Sequence, residues 1–212
     1  MKKAITSFGT DYHSSLLSLS IKTLYMYAYN HNYDLFFPSN NFFSDTTKIK
    51  PPSWWKLDVI ENLLKTYEQV LWIDSDVIIC RFENDIANEM DQNSTFGLVV
   101  HETSDGWVPN CGVWFLNQSF LEIIPEIKSY TDFRRSGCWW EQASLIYLMG
   151  TDPDSTPIIR PKHTNIQWTS LDYRWNPHIN DHRKIPPDTK FFHSTCFPDR
   201  YQAMSNILAQ IG

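Results

Sequence analysis

Val70-Leu-Trp-Ile-Asp74-Ser-Asp76-Val-Ile-Ile79 sets two carboxylates inside a run that is otherwise apolar apart from Ser75. Unpaired carboxylates are costly to bury, so Asp74 and Asp76 require a partner or an exposed strand end. Read as one strand over Gln69–Ile79, residues i and i+2 point to the same side and can share one cation. Oxygen ligands suit Mg²⁺ or Mn²⁺, which bridge phosphates and neutralise a departing diphosphate. The same residues would also fit a strand ending in a capped turn, both Asp bonding local backbone N–H groups.

Outward from this run the chain alternates strand and helix. Lys3–Phe8 reads as a first strand and His13–Asn30 as a helix with Leu16, Leu17, Leu24 and Ala28 on one face. Tyr33–Phe37 reads as a second strand, Pro38–Pro52 as a polar loop, and Trp54–Tyr67 as a helix capped by Ser53. Strands are expected at Phe96–His101 and Gly112–Leu116, joined by a loop over Glu102–Asn110. Helices follow at Ser119–Tyr130 and Cys138–Met149, short strands near Ile158–Arg160 and Lys190–Ser194, and a closing helix at Pro198–Ala209. Pro161–Pro187 reads as an irregular layer over a site. Uniformly apolar strands alternating with helices predict an α/β fold, a central mostly parallel sheet covered on both faces. One domain over 1–212 is expected.

Net charge of −6 with no basic stripe argues against nucleic acid as a partner. Nine Trp, ten Tyr and thirteen Phe supply core, and flat rings for stacking on a sugar or base. No apolar stretch is long enough to span a bilayer and no leader precedes the first strand, so no transmembrane anchor and a cytoplasmic location are expected. Cys80, Cys111, Cys138 and Cys196 lack metal or disulfide spacing and are expected as thiols.

Four further segments carry a resemblance: Trp54-Trp-Lys56-Leu-Asp, Asn110-Cys-Gly112-Val-Trp-Phe, Trp139-Trp-Glu141-Gln142-Ala, and Phe191-Phe-His193-Ser-Thr-Cys. In that order around D-x-D, they resemble the GT-A glycosyltransferases, nucleotide-diphospho-sugar transferases with a Rossmann-like domain. The likeness is closer to the retaining members of glycogenin and galactosyltransferase type. It extends to the N-terminal glycosyltransferase domain of a large multidomain chlorovirus protein, which would place the chain in host-cell cytoplasm with further domains in the same polypeptide.

The resemblance implies a metal, Mn²⁺ or Mg²⁺, on Asp74, Asp76 and His193, with Asp76 as main ligand. It implies a UDP-sugar donor against Thr6, Ser7, Phe8, Tyr12, Ser75 and Lys56, with Tyr12 stacked on uracil or packed on the following helix. Asn110, Glu141 and Gln142 would line the sugar, Gln142 or Glu141 facing the anomeric carbon. Arg134, Arg135, Lys162 and Arg200 are alternative cations for the diphosphate. The implied reaction moves a hexosyl or deoxyhexosyl group to a glycan hydroxyl with retention; inversion would need a base such as Asp105 or Glu102.

Two other readings compete. A nucleotide-sugar-binding domain without turnover would keep the same pocket. Haloacid-dehalogenase-like phosphatases also use D-x-D, but want it on the first strand and Thr or Val where Ile78 stands. No G-x-G-x-x-G or P-loop is present, so neither a dinucleotide cofactor nor Walker-type ATP binding is implied.

Overall fold

The computed structural model describes residues 1–43, 48–164 and 166–211. Its frame is a six-stranded sheet ordered β2-β1-β3-β6-β5-β7. The strands are β1 (Lys3–Thr6), β2 (Tyr33–Phe36), β3 (Gln69–Ile73), β5 (Phe96–Thr103), β6 (Gly106–Asn117) and β7 (Trp168–Ser170). β1 runs parallel to β2 and β3, and β5 parallel to β7, while β6 is antiparallel to both its neighbours. Five strands therefore share one direction and β6 alone is reversed, a mostly parallel sheet.

The uniform apolarity of Val70–Ile73 follows from burial on both faces. Val70 and Trp72 enter one core with Leu57, Ile60 and Leu64 of α2 (Pro52–Leu64). Leu71 and Ile73 enter the other with Leu24, Tyr27 and Ala28 of α1 (Tyr12–His31). The first core also takes Ile124 and Ile127 of α3 (Ile124–Ser129) and Leu145 and Ile146 of α4 (Glu141–Leu148). α1 ends where Asn32 adopts left-handed φ 56°, which Asn tolerates better than most residues.

The run over Gln69–Ile79 is not one strand. β3 stops at Ile73, Asp74-Ser75-Asp76 turns, and β4 (Val77–Ile79) leaves the main sheet to pair antiparallel with β8 (Phe191–His193). A β-turn hydrogen bond, Val77 N–H to Asp74 C=O at 3.2 Å, closes the turn. The break leaves no mark in the apolar pattern because β4 is itself buried, with Ile78 packed on Leu16 of α1 and Met204 of α5 (Arg200–Ile211).

Other expectations shift as well. Ser53 lies inside the first turn of α2; Pro51 occupies the cap and Pro52 opens the helix, where its missing N–H costs nothing. Glu102–Asn110 is not a loop: β5 and β6 form a hairpin that reverses at Ser104-Asp105, with Gly106 at φ +96°. A Cβ on Gly106 would lie 2.3 Å from the carbonyl oxygen of Ile158. Ile158 makes only a single bridge, to Gly106, in place of the strand expected near Ile158–Arg160. Residues 161–187 contain β7 and a 3₁₀ turn, Tyr173–Trp175. Residues 44–47, inside the expected Pro38–Pro52 loop, lie outside the described residues. All four cysteines are free. No helix among the described residues is long and apolar enough to cross a membrane.

Candidate functional site

A cleft of about 700 Å³ opens at the carboxyl ends of β1 and β3, the place where open α/β sheets hold ligands. The β3 turn delivers Asp74, Ser75 and Asp76 to its floor. The β4–β8 ribbon brings in His193, because Val77 pairs with His193 and Ser194 N–H bonds the Asp76 carbonyl at 2.9 Å. One ligating atom each from Asp74, Asp76 and His193 all lie within 4.8 Å of one another. The two aspartates thus converge through a turn rather than through strand alternation.

Asp76 is buried, with Oδ1 3.2 Å from His193 Nε2 and Oδ2 3.2 Å from Arg200 Nη1. Burial pushes its pKa up, but His193, Arg200 and His13 outweigh that and hold it down at about 2. Asp74 Oδ1 accepts from Trp72 Nε1 at 2.6 Å and from Lys56 Nζ at 3.1 Å. Lys56 also reaches Glu141 Oε1 at 2.8 Å and the Cys111 carbonyl at 3.5 Å. Although 5% exposed, its ammonium is held well above the usual lysine range, since Asp74 and Glu141 outweigh the opposing effect of burial. The ammonium thus points at three acceptors of the protein itself.

β6 carries Asn110, Cys111 and Gly112 past Asp74, whose N–H bonds the Gly112 carbonyl at 2.7 Å. Gln142 Oε1 accepts from Cys111 N–H at 3.2 Å, and Asn110 Nδ2 lies 3.4 Å from the same oxygen. Glu141 opens α4, directly after Trp140 at φ 45°, a costly backbone for an aromatic residue. Glu141 is 3% exposed, its pKa raised by burial against the pull of Lys56, and its Oε2 has no hydrogen-bond partner among the described residues.

Of the sequence-predicted residues, Phe8, Lys56, Asp74, Ser75, Asp76, Asn110, Glu141, Gln142 and His193 line this cleft. Thr6 and Ser7 do not; both are fully buried, their hydroxyls without a hydrogen-bond partner among the described residues. Tyr12 does not either, being 51% exposed at the start of α1. At the end of β1 the cleft is lined by Phe8, Gly9, Thr10 and His13 instead. Phe8 stacks on Trp55, ring centroids 5.9 Å apart and planes within 6°. Of the alternative cations, Arg200 lines the cleft, while Arg135 is bound to Asp105 at 3.1 Å. Asp105 lines the cleft and Glu102 does not.

Sequence reasoning missed His101, His178 and Asn176, for which no local pattern stands out. His101 and His178 line the cleft with ring centroids 4.8 Å apart. Burial lowers His101 to about 3; burial and the neighbouring His193 lower His178 to about 4. An unfolded histidine titrates near 6.5, so on acidification the unfolded chain takes up protons first. The stability these residues contribute is full above about pH 6.5 and is lost as pH falls toward 4. A His101→Gln variant, which keeps a donor for the Asn176 carbonyl, is expected to lose about 2 kcal/mol less than wild type between pH 7 and 4.5 in urea melts.

Gly112 leaves no room for a side chain. A Cβ there would sit 2.3 Å from His193 Cε1 and 2.9 Å from Asn110 Oδ1. Gly112→Ala is expected to displace the His193 ring and to cost about 1–3 kcal/mol in denaturant melts.

Residues 4–96, under half of the chain, match the family model of the galactosyl transferase GMA12/MNN10 family. That span runs from β1 through Asp76 to the start of β5. No curated protein sequence matches the chain. Among solved structures, a glycosyltransferase involved in glycosylation of the major capsid of PBCV-1 is similar at TM-score 0.68 and 18% identity, covering 98% of each chain. The glycosyltransferase GlyE of Streptococcus pneumoniae TIGR4 is similar at TM-score 0.59 and 16% identity, over 99% of this chain and 63% of that one. The galactosyltransferase LgtC, solved with donor and acceptor sugar analogues, is similar at TM-score 0.53 and 11% identity, over 98% and 96%. The fold is that of the GT-A glycosyltransferases.

Proposed function

We propose that this chain transfers a hexosyl or deoxyhexosyl group from a UDP-sugar to a glycan hydroxyl, with a divalent cation on Asp74, Asp76 and His193. The convergence of those three ligating atoms on the floor of one cleft carries the reading. Two carboxylates and one imidazole suit Mn²⁺, with Mg²⁺ as the alternative. Charge supports the same conclusion. The cleft holds four carboxylates, Asp74, Asp76, Asp105 and Glu141, against two cations, Lys56 and Arg200. Arg135 just outside the cleft offsets Asp105, and once His193 gives up any proton to ligate, the remaining carboxylates outnumber the cations and repel a diphosphate until a divalent cation cancels them.

Bound there, the metal would neutralise charge developing on the departing diphosphate. The chain's own residues do the rest. Lys56 fixes Asp74 and Glu141 through its two ion pairs. Arg200, on the rim and already at Asp76, is the cation placed to meet a phosphate oxygen. The unpartnered Glu141 Oε2 is an acceptor for a sugar hydroxyl. Gln142 is held as an oriented dipole at the sugar end by Cys111 N–H. Trp139 and Trp140 wall the same end and exclude water. Retention of anomeric configuration follows the resemblance of the Glu141-Gln142 pair to retaining enzymes.

Hydrolysis of a panel of UDP- and GDP-sugars, with Mn²⁺ and after chelation, tests the reading. Turnover of a UDP-sugar that requires the cation is expected, with proton NMR of the released sugar reporting its anomer. Cation-dependent turnover of GDP-sugars alone would move the base. Tight UDP binding with no turnover of any sugar, acceptor panel included, would favour a binding domain.

A further inference from the structure

We propose that Asn176 is the positioning residue of the cation site: it dictates which nitrogen of His193 faces the cation and ties that ligand to Gln142. The role rests on Asp74, Asp76 and His193 being the ligands, as proposed above.

The polarity of the network is fixed at a backbone group. Gly112 N–H donates to Asn110 Oδ1 at 2.9 Å, so that atom is the oxygen of the amide and cannot be exchanged with its nitrogen. Asn176 then must present its own Nδ2 to Asn110 Oδ1, which it does at 2.8 Å. Its Oδ1 is left facing His193 Nδ1 at 3.0 Å. An amide oxygen only accepts, so His193 Nδ1 carries the proton. Nε2 becomes the nitrogen turned toward Asp76, 3.2 Å from its Oδ1. Which nitrogen of a ligating histidine is free is set by the bond the other makes.

Asn176 has no freedom to answer differently. It is fully buried, its N–H donates to the Tyr173 carbonyl at 3.2 Å, and its carbonyl accepts from His101 Nε2 at 2.6 Å. At the far end Asn110 Nδ2 approaches Gln142 Oε1, which Cys111 N–H anchors independently. One hydrogen-bonded path therefore runs His193–Asn176–Asn110–Gln142, pinned by the consecutive backbone N–H groups of Cys111 and Gly112. Asparagine is the side chain that accepts on one side and donates on the other without charge. An aspartate would set a carboxylate oxygen against Asn110 Oδ1, and an apolar residue would leave the buried His193 Nδ1 unpaired.

The test is a double-mutant cycle on the full chain, reading Mn²⁺ affinity by electron paramagnetic resonance of the free ion. Asn176→Ala is expected to weaken Mn²⁺ binding about 10–100-fold, the usual effect of losing the group behind a ligating histidine. Because Asn176 acts through His193, adding it to His193→Ala should cost nothing more. Unchanged affinity in Asn176→Ala, or full additivity in the double variant, would overturn the role while leaving the cation site standing. Should Asn176→Ala not fold, nitrogen-15 NMR of the Mg²⁺-loaded wild type decides the matter. A proton on His193 Nδ1 is expected; a proton on Nε2 overturns the assignment. Wild type that binds no Mn²⁺ would remove the metal reading itself, and this role with it.

Discussion

Asp76→Asn is expected to lower glycosyl transfer by about a thousandfold, since a cation contributes several kcal/mol to such a transition state and each 1.36 kcal/mol is tenfold in rate. Asp76 is the residue on which His193 and Arg200 both converge, from β8 and α5 respectively. Its carboxyl stays ionised in a buried setting because those two groups and His13 outweigh burial. Asparagine keeps the shape and an oxygen for Arg200 but removes the charge that a divalent ion needs. The fall should appear in the rate with saturating donor and acceptor, and a melting curve close to wild type would show that folding is intact. A variant within tenfold of wild type would mean that Asp76 is not the main ligand.

Lys56→Met is expected to destabilise the fold by about 3–5 kcal/mol, the cost of breaking a buried ion pair from one side. The usual fate of a lysine early in a helix is to lie in solvent, yet this one lies under the cleft between Asp74 and Glu141. Removing it strands Glu141, a carboxylate that is already short of one partner. At about 2–4 °C per kcal/mol for a chain of this size, the melting temperature should fall by roughly 10 °C. Adding Glu141→Gln should restore much of that loss, because both halves of the pair are then gone. A Lys56→Met protein as stable as wild type would mean that the ion pair contributes little to the fold.

Much of the site was legible because its chemistry conflicts with its surroundings. Asp74 and Asp76 stand out against an apolar run, and β6, α4 and the β4–β8 ribbon bring Asn110, Glu141, Gln142 and His193 to the same cleft. What stayed hidden has physical causes. The break between β3 and β4 is invisible since apolar residues flank it on both sides, each buried against a different partner. β7 escaped because three residues at a sheet edge carry too little pattern to register. Thr6 and Ser7 look like ligand-facing hydroxyls, yet their strand is covered on both faces, and only the chain from Phe8 onward emerges into the cleft. Asn176 gave no signal at all. Its importance lies in who its four partners are, and they come from residues 101, 110, 173 and 193.

Titration calorimetry of UDP into wild type and Asp76→Ala, each with and without Mn²⁺, tests the cation-diphosphate site most directly. UDP is expected to bind wild type only when Mn²⁺ is present, and not to bind Asp76→Ala under either condition. Equal UDP binding with and without Mn²⁺ in both proteins, or no binding of any nucleoside diphosphate, would contradict it and make Asp74 and Asp76 structural.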